Sequence, residues 1–146
     1  MDNLSFSSLS EQIVKESSDA IMFADHEGFI RLWNKGAEVM FGYSAAEADG
    51  QSLDIIIPEN LRGRHWEGYH KVMASGVTRY GTELLSAPGL RKDGSRLSLE
   101  FSMVIVRDEN GAVLGTGAVI RDITARFQKE KALKERLKVL EEGRTH

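Results

Sequence analysis

The chain has 146 residues, 41% of them hydrophobic, with a formal net charge of −3. That is one domain with short flanking arms, enough apolar material for a core, and no broad basic field of the kind that nucleic acid requires. Cysteine is absent, which excludes disulfides, thiolate metal sites and a cysteine nucleophile. The opening "MDNLSFSSLSEQ" lacks a basic segment followed by an apolar one, and no run approaches the ~18 apolar residues of a membrane span. A soluble cytoplasmic module, free of membrane and nucleic acid, is the expectation.

In chain order, Ser8 with Glu11 three residues on reads as a capping box, predicting a small amphipathic helix over about residues 9–17, with Leu9, Ile13 and Val14 as its stripe. "AIMFADHEGFIRLWN" holds two β-like runs around the polar turn Asp25-His26-Glu27-Gly28, a hairpin. Asn34 can cap the next helix through its side-chain oxygen, Ala37, Met40 and Phe41 form its buried side, and Gly42 is placed to end it. A further helical turn starts at Ser44, with Glu47 three on, and stops near Gly50. Pro58 can open a longer helix that Gly76 closes. On it, Leu61, His65, Gly68, Tyr69, Val72 and Met73 share a face, with Trp66 and His70 beside that face.

Sheet follows. "RYGTELLSAPGLRKDG" gives a strand whose Pro88 argues for an edge or a bulge, then a turn. "SRLSLEFSMVIV" alternates strictly, with Leu97, Leu99, Phe101, Met103 and Ile105 on one face. "AVLGTGAVIRDIT" is the last strand, and Gly115 and Gly117 suggest room above it for something bulky. The charged segment "TARFQKEKALKERLKVLEE" is a helix in which Glu130, Leu133, Leu137 and Leu140 fit a/d spacing for under three heptads. The expected class is α+β with an antiparallel sheet.

Taken together and in order, "DAIMFADHEGFIRLWNKGAEVMFGYS", "GQSLDIIIPE", "RKDGS" and "GAVIRDIT" resemble the PAS sensory domain. The resemblance implies a five-stranded antiparallel sheet of order 2-1-5-4-3, with short helices closing a cavity over one face. It divides the chain into a cap helix (1–17), a sensor domain (18–123) and a signalling coiled-coil helix with tail (124–146). The family's Asp-Ile-Thr triad is matched by Asp122-Ile123-Thr124. Arg121 or another basic group can pair with Asp122, and Thr124 can cap the outgoing helix.

"IIPENLRGRHWEGY" places His65 in the register of the proximal iron ligand of the haem-carrying, oxygen-sensing branch, seven residues after Pro58. That resemblance implies haem b held by His65, the metal ligand, with Tyr69, Met73, Leu84, Leu85, Phe101 and Met103 around it. Met103 could compete as a sixth ligand. The branch's arginine on the next strand has no counterpart in "GTELLS"; Arg79 or Lys71 are the basic residues available to a propionate. The implied role is oxygen or redox sensing in a homodimer joined through the N- and C-terminal helices. Its output would be a histidine kinase, a cyclase or phosphodiesterase, or a chemoreceptor module, in the same longer chain or in trans.

The bland alternative makes His65 an ordinary helix residue and the domain a ligand-free dimerisation module. A cavity for a fatty acid, lined by Leu99, Phe101 and Met103, is a third reading. No zinc-ligand spacing, phosphate loop or nucleophile elbow is present, and the light-sensing flavin branch needs a cysteine that the chain lacks. Glu83 and Glu100 read as exposed sheet charges rather than a catalytic pair, so no enzyme is expected.

Overall fold

In the computed structural model, residues 4–78 and 83–144 are described. Helix α1 (Phe6–Glu16) leads into the hairpin β1 (Ala20–Asp25) and β2 (Ile30–Trp33), followed by α2 (Lys35–Phe41) and α3 (Ala45–Ala48). Two 3-10 turns, Leu53–Ile56 and Glu59–Leu61, precede α4 (Arg62–Ser75). Then come β3 (Leu85–Leu90), β4 (Arg96–Arg107), β5 (Val113–Asp122) and α5 (Thr124–Arg144). The strands form one antiparallel sheet of order β2-β1-β5-β4-β3, as expected from the sequence. Pro88 accordingly lies on an edge strand, opposite Ser98, where its missing N–H costs no ladder bond on the open side. No described helix is long and apolar enough to cross a membrane.

The caps explain where the helices stop and start. Asn34 Oδ1 accepts from Ala37 N at 2.9 Å and Gly42 ends α2 in the left-handed region at φ 84°. Ser44 and Glu47 form the reciprocal capping box of α3. Two boundaries differ from the sequence reading. The α1 cap is Ser5, whose side chain accepts from Ser8 N at 3.1 Å, so the helix starts earlier than Ser8 implied. Pro58 opens a 3-10 turn, and α4 itself begins at Arg62.

Asn34, 4% exposed, does more than cap. Its Oδ1 also accepts from Ile21 N at 2.8 Å, and its Nδ2 donates to Val14 O at 2.7 Å and Asp19 O at 3.0 Å. One side chain thereby ties α1, β1 and α2 together. The core lies between the inner face of the sheet (Ala20, Met22, Ala24, Leu97, Leu99, Ile120) and the helical layer, with Phe41 and Ile30 fully buried at its centre. Burying each such large side chain stabilises the fold by roughly 1.5–3 kcal/mol before entropy is counted.

The glycines of β5 do not open the interior. Gly115 and Gly117 pair with Asp25 and Phe23 on the outer face of the sheet. A Cβ on Gly115 would stand 2.0 Å from the Ala24 carbonyl oxygen and 2.8 Å from the Phe23 ring. The bulky neighbour accommodated there is the chain's own Phe23.

Candidate functional site

Helix α4 is fastened to the β1–β2 hairpin by two aromatic residues one turn apart. The Tyr69 hydroxyl donates to the Asp25 carbonyl, with the Ala24 carbonyl at 3.3 Å, and burial raises its pKa, so it stays protonated as a donor. Trp66 Nε1 donates to Asp54 Oδ1 at 2.7 Å, and its ring lies over Gly28 so closely that a Cβ there would stand 2.2 Å from it. Gly28 also has φ +89°, a conformation that L side chains rarely adopt, so the turn needs glycine on two counts. Trp66, which the sequence placed beside the helix face, is therefore a main anchor.

Between these anchors sits His65. Its ring is edge-on to Trp66 at 4.8 Å and tilted against Tyr69 at 5.7 Å. Nδ1 is buried and has no hydrogen-bond partner. Burial holds the His65 pKa below the ordinary value; the Asp54 carboxylate opposes this and His70 adds to it. Burial thus favours the neutral imidazole. A buried nitrogen without a partner either directs a lone pair into apolar surroundings or leaves an N–H without an acceptor, and both are costly. A bound group that supplies the missing contact relieves that cost. His70, as expected, is exposed, and its ring stacks on Trp66 at 6.0 Å.

The structure places the other expected site residues unequally. Tyr69 and Met73 are buried and pack in one apolar cluster with Phe101 at its margin. Leu85 pairs with Phe101, and both lie with Met103 on the inner face, half-buried. Leu85 and Met103 stand outside that cluster. Leu84 is 65% exposed ahead of β3. Lys71 is exposed and pairs with Glu67 at 3.7 Å, while Arg79 and the start of the expected strand at 79–82 lie outside the described residues. Two concavities stand out, and neither involves His65. One of about 440 Å³ lies between β2 and α3; the other, of about 460 Å³, lies on the outer face beside Val14, Phe23 and Val106. Among the described residues no cluster of three or more His, Asp or Glu could hold a metal ion.

At the β5–α5 junction, Arg121 is committed to Asp19 at 3.2 Å, and the cation beside Asp122 is Arg91 at 3.6 Å. Asp122 Oδ1 accepts from Thr124 N at 2.9 Å, so a carboxylate two residues ahead bonds the first amide of α5, and the Thr124 hydroxyl, expected to cap the helix, is used elsewhere. That hydroxyl donates to Asp122 and accepts from Ser98 N at 2.9 Å, which fastens the helix start to β4. Arg126 adds a 2.8 Å pair to Glu100. Ser98, Glu100 and Arg126 carried no motif signal, and Arg91 stood only in the turn stretch "RKDGS"; what brings them to the junction is the pairing of the sheet, which the sequence does not show.

The architecture is that of a small regulatory module: an antiparallel sheet covered by short helices on one side, with an outgoing helix fastened to its last strands. The sequence profile of the PAS fold matches residues 14–128, and the chain belongs to that family. It is 33% identical over 127 residues to "Sensor protein FixL" of Bradyrhizobium diazoefficiens, covering 80% of this chain and 23% of that one. It is 30% identical over 103 residues to "Oxygen sensor protein DosP" of Escherichia coli, covering 70% of this chain and 13% of that one. The chain thus spans less than a quarter of either relative. The crystal structure of a PAS domain from Colwellia psychrerythraea superposes with a TM-score of 0.73 at 26% identity, covering 83% of this chain and 99% of that one.

Proposed function

We propose that this chain is the input module of a signal-transduction protein and takes a small ligand, haem b in the first instance, between α4 and the inner face of β3 and β4. The single observation that carries this reading is the half-buried imidazole of His65, whose buried Nδ1 has no hydrogen-bond partner. Its donor chemistry is of the kind that haem iron takes: an imidazole nitrogen without a partner on α4, in a domain whose β3–β4 inner face is apolar and half-buried and carries the Met103 thioether. His65 would hold the iron, and Tyr69, Met73, Leu85, Phe101 and Met103 would line the site. Haem, when bound, supplies an iron centre whose ligation answers to a gas or to redox state. Two relatives whose names are a sensor and an oxygen sensor support the same reading.

The chain's own residues carry the rest. A ligand transmits a signal only through different affinity for two conformations. The element placed to differ is the β4–β5 region, because Thr124 and Asp122 tie its position to α5. The output is a kinase, cyclase or phosphodiesterase, or chemoreceptor domain in the cytoplasm. The assembly is a homodimer through α1, which exposes Phe6 and Ile13, and α5, which exposes Leu133, Leu137 and Leu140.

Titrating the purified chain with haemin tests the proposal. A Soret band that saturates at one haem per chain and is lost in His65→Ala is expected; no uptake by the wild-type chain would sink the haem version. One observation favours a second reading, a ligand-free dimerisation module: Tyr69 spans the interior to β1 and fills part of it. Native chain that neither takes up haemin nor releases a small molecule on denaturation, as judged by mass spectrometry, leaves that reading standing.

A further inference from the structure

Helix α4 is fastened in two ways. In its middle, Trp66 and Tyr69 bond to Asp54 and to the Asp25 carbonyl. At its C-terminal end the partner is Arg107, the last residue of β4. Arg107 Nη2 donates to the carbonyl of Gly76, which closes the helix at φ 69°, and Nη1 donates to Gly111 O at 3.0 Å in the turn between β4 and β5. One guanidinium thereby joins the end of the helix to the tip of the last hairpin.

The details mark a joint between backbone segments rather than a surface ion pair. Both bonds go to main-chain carbonyls, while the neighbouring Asp108 carboxylate is engaged by its own turn, accepting from Asn110 N at 2.8 Å and Ala112 N at 3.0 Å. The last carbonyls of a helix lack partners along the chain and carry the negative end of its dipole, which favours a cation there. The approach is close: a Cβ on Gly76 would stand 2.9 Å from Nη2 and 3.0 Å from Nη1. The planar fork of arginine holds two acceptors in one fixed geometry, which a lysine ammonium does not. His65 stands on the same helix, about 16 Å ahead of Gly76 along the axis at roughly 1.5 Å per residue. Beyond the turn, β5 starts at Val113 and ends at Asp122, whose carboxylate bonds the head of α5.

We infer that Arg107 is the positioning residue that couples α4 to β5, making the end of the helix and the β4–β5 turn move as one. A displacement of α4 by a ligand at His65 then reaches the strand that leads into α5. This rests on the ligand reading above and adds to it the route from the site to the outgoing helix.

Amide hydrogen exchange of the full chain, followed by mass spectrometry, tests the joint without a ligand. The last turn of α4, where Gly76 N bonds Val72 O at 2.8 Å, and the turn after β4, where Asp108 N bonds Ala112 O at 2.9 Å, report its two sides. Asp108→Ala removes the carboxylate bonds of the turn alone, and should speed exchange in the last turn of α4 roughly three-fold while Arg107 is present. In the Arg107→Ala background the same substitution should leave that turn of α4 unchanged. An α4 end that ignores Asp108→Ala in the native background overturns the joint, as does one that responds equally without Arg107. Haemin then tests transmission. It should change exchange in the β4–β5 turn about three-fold in the native chain, and not in Arg107→Ala, where the Soret band keeps its full height. A response that survives Arg107→Ala, or none in a native chain that has taken up haemin, overturns the coupling and leaves the ligand reading intact. A native chain that takes up no haemin sinks the haem reading, and the ligand-free comparison still decides the joint. Both substituted side chains are exposed, and circular dichroism checks that each variant is folded.

Discussion

The two ends of the sheet are held by different physics. Around β1 and β2, polar groups close on one another: Asn34 satisfies four backbone groups, Tyr69 and Trp66 pin α4, and Trp33 Nε1 donates to Tyr43 O at 3.0 Å. Around β3 and β4, the inner face is apolar and incompletely covered, with Leu85, Met103 and Ile105 half-buried outside the main cluster. Directional bonds with buried partners fix geometry, because each is costly to leave unmade. Apolar contact at a partly covered face tolerates rearrangement. The module thus has a rigid half and an adaptable half, and His65, with one nitrogen unpartnered, stands on the helix that spans them.

The largest test of this contrast is Asn34→Ala. It removes the α2 cap and leaves the Ile21 amide and the Val14 and Asp19 carbonyls without their partner, so a loss of about 3 kcal/mol is expected from urea denaturation. A loss under about 1 kcal/mol would mean that the rigid half is not held by this residue.

Next in size is a matched pair on one strand. Leu97→Ala, at a position 2% exposed, should cost about 3 kcal/mol, and Met103→Ala about 1 kcal/mol, because the second site has little packing to lose. Equal costs would show the inner face of β4 to be uniformly packed. If a ligand fills the region, Met103→Ala should instead weaken its retention by roughly ten-fold while leaving the apo stability near that small value.

A smaller effect is expected from pH. Folding depresses the His65 pKa, so the unfolded chain takes up the proton first; stability is full above the ordinary value of 6.5 and falls as the pH drops below it. The stability difference between about pH 7.5 and about pH 5.5 should shrink in His65→Gln, a window clear of the depressed carboxylates of Asp25, Asp93 and Glu47, the last held at about 2. An unchanged difference would show that His65 does not titrate through folding. Smallest of all, Arg126→Ala in the monomer should shift stability by less than about 0.5 kcal/mol, since exposed ion pairs contribute little. A larger loss would make the junction part of the rigid half.

How far the sequence reached follows the same division. Signals that act over a few residues were legible: the hairpin turn before Gly28, the Asn34 and Gly42 ends of α2, the Ser44–Glu47 box and the alternation of β4. With the family resemblance, they yielded the strand order as well. Long-range contacts were not legible. Asn34 looked like a cap because its partners at Val14 and Ile21 are set by tertiary approach. Trp66 looked peripheral because the glycine beneath it is far away in sequence. Gly115 and Gly117 read as room above the strand, and the structure divides them: Phe23 fills the space at Gly115, while Gly117 borders the concavity on the outer face. His65 and its stripe could be named as a candidate site from the sequence, but not the Asp54 and Trp66 contact beside it, nor the links from Ser98 and Glu100 to α5.

The pairing of Ala20 with Ile120, reinforced by the Asp19–Arg121 ion pair at 3.2 Å, brings the foot of α1 beside the head of α5. Entry to and exit from the sheet are therefore neighbours, and the hundred or so residues between them form a side excursion on an almost uninterrupted path. A unit wired in this way can be spliced into a helical connector without prising its two halves apart.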